Sequence, residues 1–205
     1  EAFTVTLSGP GGASLGIATA TVTVADDDPI PAVGFASASV SAGEGDASAT
    51  FTVRLSGLSG ADVTVRYETG DGTATAGQDY EAKSGTLTIP TGSLTGTIQI
   101  VLTDDTVFEG SETFTLMLSD PAGAVLGLAA ATATLDDDDP LPSVGFDPAA
   151  VAVAEAAGKA ALTVRLSGPS SADVTMQYDT VDGTATRSLD YVAKSGVITI
   201  PTGSL

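Results

Sequence analysis

Carboxylates are the side chains in this sequence with the numbers and spacing to do chemistry. Among 205 residues there are 26 Asp and Glu against 7 Lys and Arg, a formal net charge of −19. They fall in groups: Glu44 with Asp46; Asp71, Asp79 and Glu81; Asp104, Asp105, Glu109 and Glu112; and the run Asp136 to Asp139. Grouped carboxylates can do two kinds of work. One is to hold hard divalent cations through oxygen. The other is paired acid–base catalysis, as in glycoside hydrolysis, which needs one acid of raised pKa and a partner at a defined separation. Composition removes most other chemistries. With no Cys and no His there is no disulfide framework, no zinc site of Cys or His, no thiol nucleophile and no imidazole base. The negative charge also opposes nucleic acid phosphate and anionic membrane surfaces, so no nucleic-acid partner is expected. At 42% hydrophobic and 16% charged, the chain is still apolar enough to fold.

The elements that position these acids follow from an internal repeat. Shifting the sequence by 111 positions lays residues 1 to 94 on residues 112 to 205, with 57 identities in 94 positions and no insertion or deletion. Val33-Gly34-Phe35 returns as Val144-Gly145-Phe146, and Asp26-Asp27-Asp28-Pro29 as Asp137-Asp138-Asp139-Pro140. Such a period is too long for a solenoid unit and fits an independent domain, so the organisation is a string of beads. Cut at the Asp-Pro-x-Pro segments, the chain divides into three parts. Residues 1–32 are the C-terminal part of one repeat with its linker, 33–143 a complete repeat with its linker, and 144–205 the N-terminal part of another. The first residues alternate like the middle of a strand, so the chain reads as a fragment, and no stretch is apolar for long enough to insert in a membrane.

Within the complete repeat, apolar residues recur with period two. Phe51, Val53 and Leu55 share one face, as do Val63, Val65 and Tyr67; Leu87 and Ile89; Ile98, Ile100 and Leu102; Phe114, Leu116 and Leu118; and Ala131, Ala133 and Leu135. This is the pattern of half-buried strands, and no helical stripe competes with it. Adding the segment Val33 to Val40 gives about seven strands, which predicts an all-β, immunoglobulin-like sandwich of two antiparallel sheets. Tyr80 and Phe114 are expected in the core. Asp71 is expected to be structural, part of an Asp-Gly turn explained by local hydrogen bonding and a positive φ at Gly72.

If consecutive strands run in opposite directions, alternate connections share a pole. Thirteen carboxylates then gather at one pole, in the groups named above, while only Asp62 and Asp120 lie toward the other. Like charges ~4 Å apart repel by about 1 kcal/mol even in a water-like dielectric. A cation should neutralise them, and Ca²⁺, which takes roughly six to eight oxygens in flexible geometry, suits ligands gathered from separate loops better than Mg²⁺ does. With this many acids, two or more ions could share the pole.

At these residues the sequence resembles the Calx-β family, the repeat found in regulatory loops of sodium/calcium exchangers, in integrin β4 and in large surface proteins. The resemblance rests on the stretch Asp71-Gly72-Thr73-Ala74-Thr75-Ala76-Gly77-Gln78-Asp79-Tyr80, on Ser84-Gly85-Thr86-Leu87, on Asp104 through Phe114, and on the final Asp run. It implies an immunoglobulin-like sandwich with Ca²⁺ at one end. Carried onto matching positions, it implies as ligands Glu44, Asp79, Asp104, Asp105, Glu109, Glu112, Asp137, Asp138 and Asp139, with Val107 offering a backbone carbonyl. In residues 144–205 only Glu155 and Asp190 match, and Arg187 would put a cation beside the site.

The functional expectation is a calcium-binding structural or adhesion module of a bacterial-type surface or secreted protein, extracellular or at the cell surface. Its partners would be calcium ions, neighbouring repeats, and another protein or cell-surface ligand. Because the acidic pole lies at the joint between beads, the metal would stiffen that joint. Two alternatives are a calcium-sensing regulatory domain of the exchanger type and a non-catalytic accessory repeat of a secreted enzyme. Catalysis in these residues is not expected, because aromatics are only 5% and Trp, the usual sugar platform, is absent.

Overall fold

A computed structural model describes residues 1–205, and it is built almost wholly of strands. In chain order, β1 (Ala2–Thr6) and β2 (Thr19–Thr23) form an antiparallel hairpin. The complete repeat follows as β3 (Ala32–Phe35), β4 (Ser39–Gly43), β5 (Ser48–Leu55), β6 (Val63–Asp71) and β7 (Ser84–Ile89). It continues as β8 (Thr95–Val101), β9 (Glu112–Ala122), β10 (Val125–Leu126) and β11 (Ala130–Asp136). Beyond it lie β12 (Val144–Phe146), a single 3₁₀ turn at Glu155–Ala157, β13 (Val164–Leu166), β14 (Val174–Asp179) and β15 (Ser195–Ile200). No helix is long and apolar enough to cross a membrane.

The repeat is a two-sheet sandwich, one sheet ordered β10-β3-β5-β8 and the other β4-β11-β9-β6-β7. Period-two alternation decides which residues face inward. Along β5, Ala49, Phe51, Val53 and Leu55 are buried while the Ser, Thr and Arg between them are not. The inner faces close over one core of 20 buried side chains, all between Val33 and Leu135. Phe51 and Tyr80 both contact Phe114, with ring centroids 6.1 and 4.2 Å away.

The first strand differs from expectation. The segment read as one strand, Val33 to Val40, is divided between the sheets: β3 pairs antiparallel with β5, and β4 pairs parallel with β11. Ser37 makes the crossing, its hydroxyl bonding the backbone of Ser39. Inward positions are odd-numbered before the switch, Val33 and Phe35, and even-numbered after it, Val40 and Ala42; the slip in phase falls on the small residues 36–39, whose side chains do not mark it. The two-residue β10, parallel to β3, was likewise too short to show a period.

Strand parity places the connections as expected. At one pole the β5–β6 and β7–β8 turns are tied together, the Thr91 amide donating to Asp62 Oδ1 at 2.9 Å and its hydroxyl to the Ser59 carbonyl at 3.0 Å. Ala32, where β3 begins, sits at this pole, its amide donating to Ser56 Oγ. The opposite pole carries the ends of β4, β8 and β11, where the Glu44 amide donates to the Asp136 carbonyl at 2.9 Å.

Asp71 makes local hydrogen bonds as expected, but the conformation expected of Gly72 is not found. Gly72 is not among the glycines of positive φ. It is required because a Cβ there would lie 2.2 Å from the Thr113 carbonyl oxygen. Asp71 Oδ1 accepts from the Ala76 amide at 3.0 Å and from the Tyr80 hydroxyl at 2.5 Å, and these bonds, led by the Tyr80 one, hold its carboxyl below the ordinary range. Gly72→Ala is therefore expected to destabilise the repeat by about 1–3 kcal/mol through overpacking. Gly57→Ala, where a Cβ meets nothing within 4 Å, should be near neutral in the same denaturant titration. Equal effects would refute the close-approach explanation.

Candidate metal centre

Four connections deliver the carboxylates to one pole. Glu44 comes from the β4–β5 turn and Asp79 from the β6–β7 segment. Asp104, Asp105, Val107 and Glu109 come from the β8–β9 turn, Glu112 opens β9, and Asp137, Asp138 and Asp139 follow β11. Glu44, Asp79, Glu109, Glu112 and Asp137 line a single small pocket together with Gly110 and Leu135. Oxygens of Asp79, Glu109 and Glu112 all lie within 4.8 Å of one another. Glu44 and Asp79 are only 6% and 7% exposed, far from the solvated acids of a linker.

The remaining acids form the outer flank. Asp105 acts electrostatically on Glu44 and Glu109 on one side and on Asp139 on the other, so it joins pocket to flank. Asp139 also feels Asp104, Asp137 and Asp138. Asp138 lies against the β4–β5 turn, its Oδ2 3.0 Å from where a Gly45 Cβ would stand. The backbone amide of Val107 donates to Asp105 Oδ1 at 2.6 Å, which folds the turn around that carboxylate.

Backbone amides hold several carboxylates in place. Asp137 Oδ2 accepts from the amides of Glu109 (2.9 Å) and Gly110 (2.7 Å), and its Oδ1 from that of Asp139 (2.9 Å). Asp137 thus ties the end of β11 to the β8–β9 turn. Asp79 Oδ2 accepts from the Thr75 amide at 2.6 Å and more weakly from the Thr75 hydroxyl at 3.4 Å. Ser111 Oγ donates to Asp136 Oδ1 at 2.9 Å. These positioning roles of Thr75, Gly110 and Ser111 were not foreseen, since most act through main-chain amides that leave no mark in residue type.

The cost of this arrangement appears in the ionisation of its members. Burial, with the negative charges of Asp105, Glu109 and Asp137, pushes Glu44 up to about 7. Burial, with Asp79, Glu112, Asp105 and Asp137, does the same to Glu109. Glu112 is raised by burial and by Asp79, and Asp139 by burial and its Asp neighbours. Asp137 goes the other way: burial opposes its ionisation, but the amides of Gly110, Asp139 and Glu109 outweigh it.

No base relieves the cluster. The ion pairs of the chain join Arg66 to Asp120, Arg165 to Asp147 and Arg187 to Asp182, all away from it. One oxygen, Asp139 Oδ2, is buried without any hydrogen-bond partner. A buried carboxylate oxygen left unpaired is costly unless a cation completes it. All-oxygen donors on several loops, an orphaned buried oxygen and no competing base together fit Ca²⁺, whose coordination is large and flexible.

The outlying repeats hold only pieces of this arrangement. Asp190 repeats the Asp79 contacts, accepting from the Thr186 amide at 2.8 Å and its hydroxyl at 3.2 Å. Arg187, expected beside that site, turns instead to Asp182, the counterpart of Asp71, with Nε 3.3 Å from Oδ2. The Arg187 amide also donates to Asp182, at Oδ1 2.9 Å away, so backbone and side chain of Arg187 hold the same carboxylate.

Fold and site together define a tandem β-sandwich repeat with an oxygen-rich cation-type pole at the joint. Residues 25–139 and 136–204 each match the Calx-beta domain, and the chain belongs to that family. It is 35% identical over 135 residues to the sodium/calcium exchanger Calx of Drosophila melanogaster, covering 65% of this chain and 14% of the exchanger. It is 32% identical over 151 residues to the mouse extracellular matrix organizing protein FRAS1, covering 71% of this chain and 4% of that protein. The chain therefore spans a small part of these curated relatives. The crystal structure of calcium binding domain CBD12 of CALX1.1 matches with a TM-score of 0.52 and 26% identity, over 84% of this chain and 71% of that one.

The raised acids set a pH dependence whose sign follows from linkage. Glu44 and Glu109 stand at about 7 in the folded chain against an ordinary 4.5, so between those values the folded state holds more protons than the unfolded one. Stability without metal must then fall as pH rises from ~5 to ~7.5. Asp71 and Asp137, held low, matter only in more acid solution. Thermal melts in EDTA are expected to show this fall, and excess Ca²⁺, which competes with protons for the same oxygens, to remove it. A melting temperature that climbs with pH in EDTA would contradict the assignment.

Proposed function

We propose that residues 33–143 are a Ca²⁺-binding regulatory module of the exchanger type, in which the ion sets the joint between successive repeats. The observation that carries this reading is the convergence of buried carboxylates with an unpartnered Asp139 oxygen and no base nearby. Its ligands are Glu44, Asp79, Asp104, Asp105, Glu109, Glu112, Asp137, Asp138, Asp139 and the main chain at Val107. No catalytic role falls to these acids.

Position explains how binding would be felt beyond the site. The acidic run follows β11 directly, and β12 begins at Val144 after a linker holding Pro140 and Pro142. Fixed φ at both prolines already limits bending there. The β8–β9 turn also touches the next repeat, the Phe108 carbonyl accepting from the Ser171 amide at 3.1 Å and the Ser171 hydroxyl at 3.3 Å. Phe108 lies between Val107 and Glu109, so an ion that orders this turn also orders its contact with the neighbour. The likeness to proteins named as an exchanger and as a calcium binding domain supports the regulatory reading.

A second reading rests on the match to an extracellular matrix organizing protein. There the ion would serve only to stiffen an adhesive or structural stalk, extracellular or at a cell surface. The two readings differ in affinity: a regulator needs roughly micromolar sites, whereas extracellular modules work with about 0.1–1 mM.

A Ca²⁺ series on the 205-residue chain checks both. At ~100 times the dissociation constant, binding to the native state contributes about 2.7 kcal/mol, enough to raise the melting temperature by more than about 10 °C for a domain of this size. Asp105→Ala should remove most of that shift, while Asp120→Ala, at the other pole, should leave it. No shift up to about 10 mM Ca²⁺ would reject metal binding, and the midpoint of a positive series separates regulator from stalk.

A further inference from the structure

Residues 71–80 contribute one carboxylate to the acidic pocket, Asp79, yet their hydrogen bonds reach two other stretches that supply acids. Asp71 Oδ1 accepts from the Ala76 amide at 3.0 Å and from the Tyr80 hydroxyl at 2.5 Å, which closes the segment into a loop. Inside it the Asp79 amide donates to the Thr75 carbonyl at 3.1 Å, and the Thr75 amide donates in return to Asp79 Oδ2 at 2.6 Å. Along one edge, Thr73 Oγ1 accepts from the Thr113 amide at 2.8 Å and the Ala74 amide donates to the Thr113 carbonyl at 3.0 Å, next to Glu112. Along the other, the Asp79 carbonyl accepts from the Thr103 amide at 3.0 Å, next to Asp104.

The same closure forms one period along, on a different middle sequence. Asp182 Oδ1 accepts from the Arg187 amide at 2.9 Å and from the Tyr191 hydroxyl at 2.5 Å, and Asp190 Oδ2 accepts from the Thr186 amide at 2.8 Å. Asp, Gly, Thr, Ala, Thr, Asp and Tyr recur at matched places, whereas Ala76-Gly77-Gln78 becomes Arg187-Ser188-Leu189. Gly77 stands at φ 89°, and Ser188 is held at 70°, although a side chain disfavours that region. The bonding residues recur while the bridging ones differ, so the bonds set the shape of the loop.

We infer that Tyr80 and Asp71 are positioning residues for the metal centre. Their hydrogen bond clasps the loop so that Asp79 is presented to the ion, and the contacts at Thr113 and Thr103 set Glu112 and Asp104 around it. Thr75 occupies Asp79 Oδ2, which leaves Oδ1 for coordination. Neither Tyr80 nor Asp71 is itself a ligand. The Tyr80 ring is 1% exposed and stacks on Phe114 at a centroid distance of 4.2 Å, so the core retains the ring whether or not its hydroxyl is present. The inference rests on the metal reading of this pole, and it adds residues outside the carboxylate cluster that decide how tightly the ion is held.

Calorimetric titration of the 205-residue chain with CaCl₂, paired with thermal melts in EDTA, tests the clasp. Tyr80→Phe keeps the stacked ring and removes only the donor; it should weaken Ca²⁺ binding about 10-fold or more, as loss of a group that orients a ligand does. Asp71→Ala should weaken binding at least as much. Asp71→Asn, which keeps an acceptor oxygen for both bonds, should restore most of the affinity lost in Asp71→Ala. A purely structural role would lower the melting temperature in EDTA and leave the dissociation constant of the folded variants unchanged, and that result would overturn the inference. Asp71→Asn binding as poorly as Asp71→Ala would also overturn it, since the carboxylate would then act by charge or as a ligand. An unmodified chain that takes up no Ca²⁺ would reject the metal reading and the clasp together, whereas tight binding unaffected by Tyr80→Phe would reject the clasp alone.

Discussion

Mutual repulsion among carboxylates at the end of β11 is the constraint around which the complete repeat is arranged. Electrostatics alone would scatter these acids over the surface, where water screens them. Instead the fold draws Glu44, Asp79, Glu109 and Glu112 inward and fixes Asp137 against three amides. Glu44 and Glu109 respond by holding protons near neutrality. Such an arrangement weakens the metal-free protein, and it persists because the core of 20 side chains and the antiparallel ladders hold the loops from below. The pole is strained electrostatically while the sandwich beneath it is not. That division would let a cation act on loop order and on the joint without remodelling the core.

The split first strand belongs to the same logic. By pairing with β5 at its start and with β11 at its end, it stitches the two sheets together beside the acidic turn, and β4 runs directly into Glu44. Glu44 and the Asp136–Asp139 run therefore leave adjacent, hydrogen-bonded strands. Their proximity is set by backbone pairing, which repulsion between side chains cannot easily break.

Much of this was legible from residue order because β-structure writes itself with period two. Phe51, Val53 and Leu55, or Phe114, Leu116 and Leu118, declare both strand and inward face, and strand parity then sorts the loops between poles. The acids needed only that sorting to appear as one group. What stayed hidden is whatever depends on main-chain geometry instead of side-chain type. The switch of the first strand shifts the phase of alternation between Phe35 and Val40, but it does so across small Ala and Ser residues that do not mark it. Gly72 reads as a turn glycine, whereas the Thr113 carbonyl stands where its Cβ would be. Asp71 reads as a turn residue, yet one of its partners, the Tyr80 hydroxyl, lies nine residues on and no local rule points to it. The orientation of Arg187 toward Asp182 was invisible for a similar reason, since Asp190 is nearer in sequence than Asp182.

The repeat adds a further consequence that a single domain would lack. Selection of the same register, turns and inward residues in successive copies makes any β9–β11 half geometrically compatible with any β3–β7 half. In a continuous array, the chain link between neighbouring strands keeps each half with its own partner through high local concentration. Acid placement reinforces the pairing, because the Asp run of one half must meet the Glu44 or Glu155 position of another and repels it unless a cation intervenes. Within the complete repeat both parts supply acids to this pole, Glu44 and Asp79 from the β4–β5 and β6–β7 connections and Glu112 and Asp137 from β9 and the end of β11, so a cation bound there would join the two parts of the sandwich.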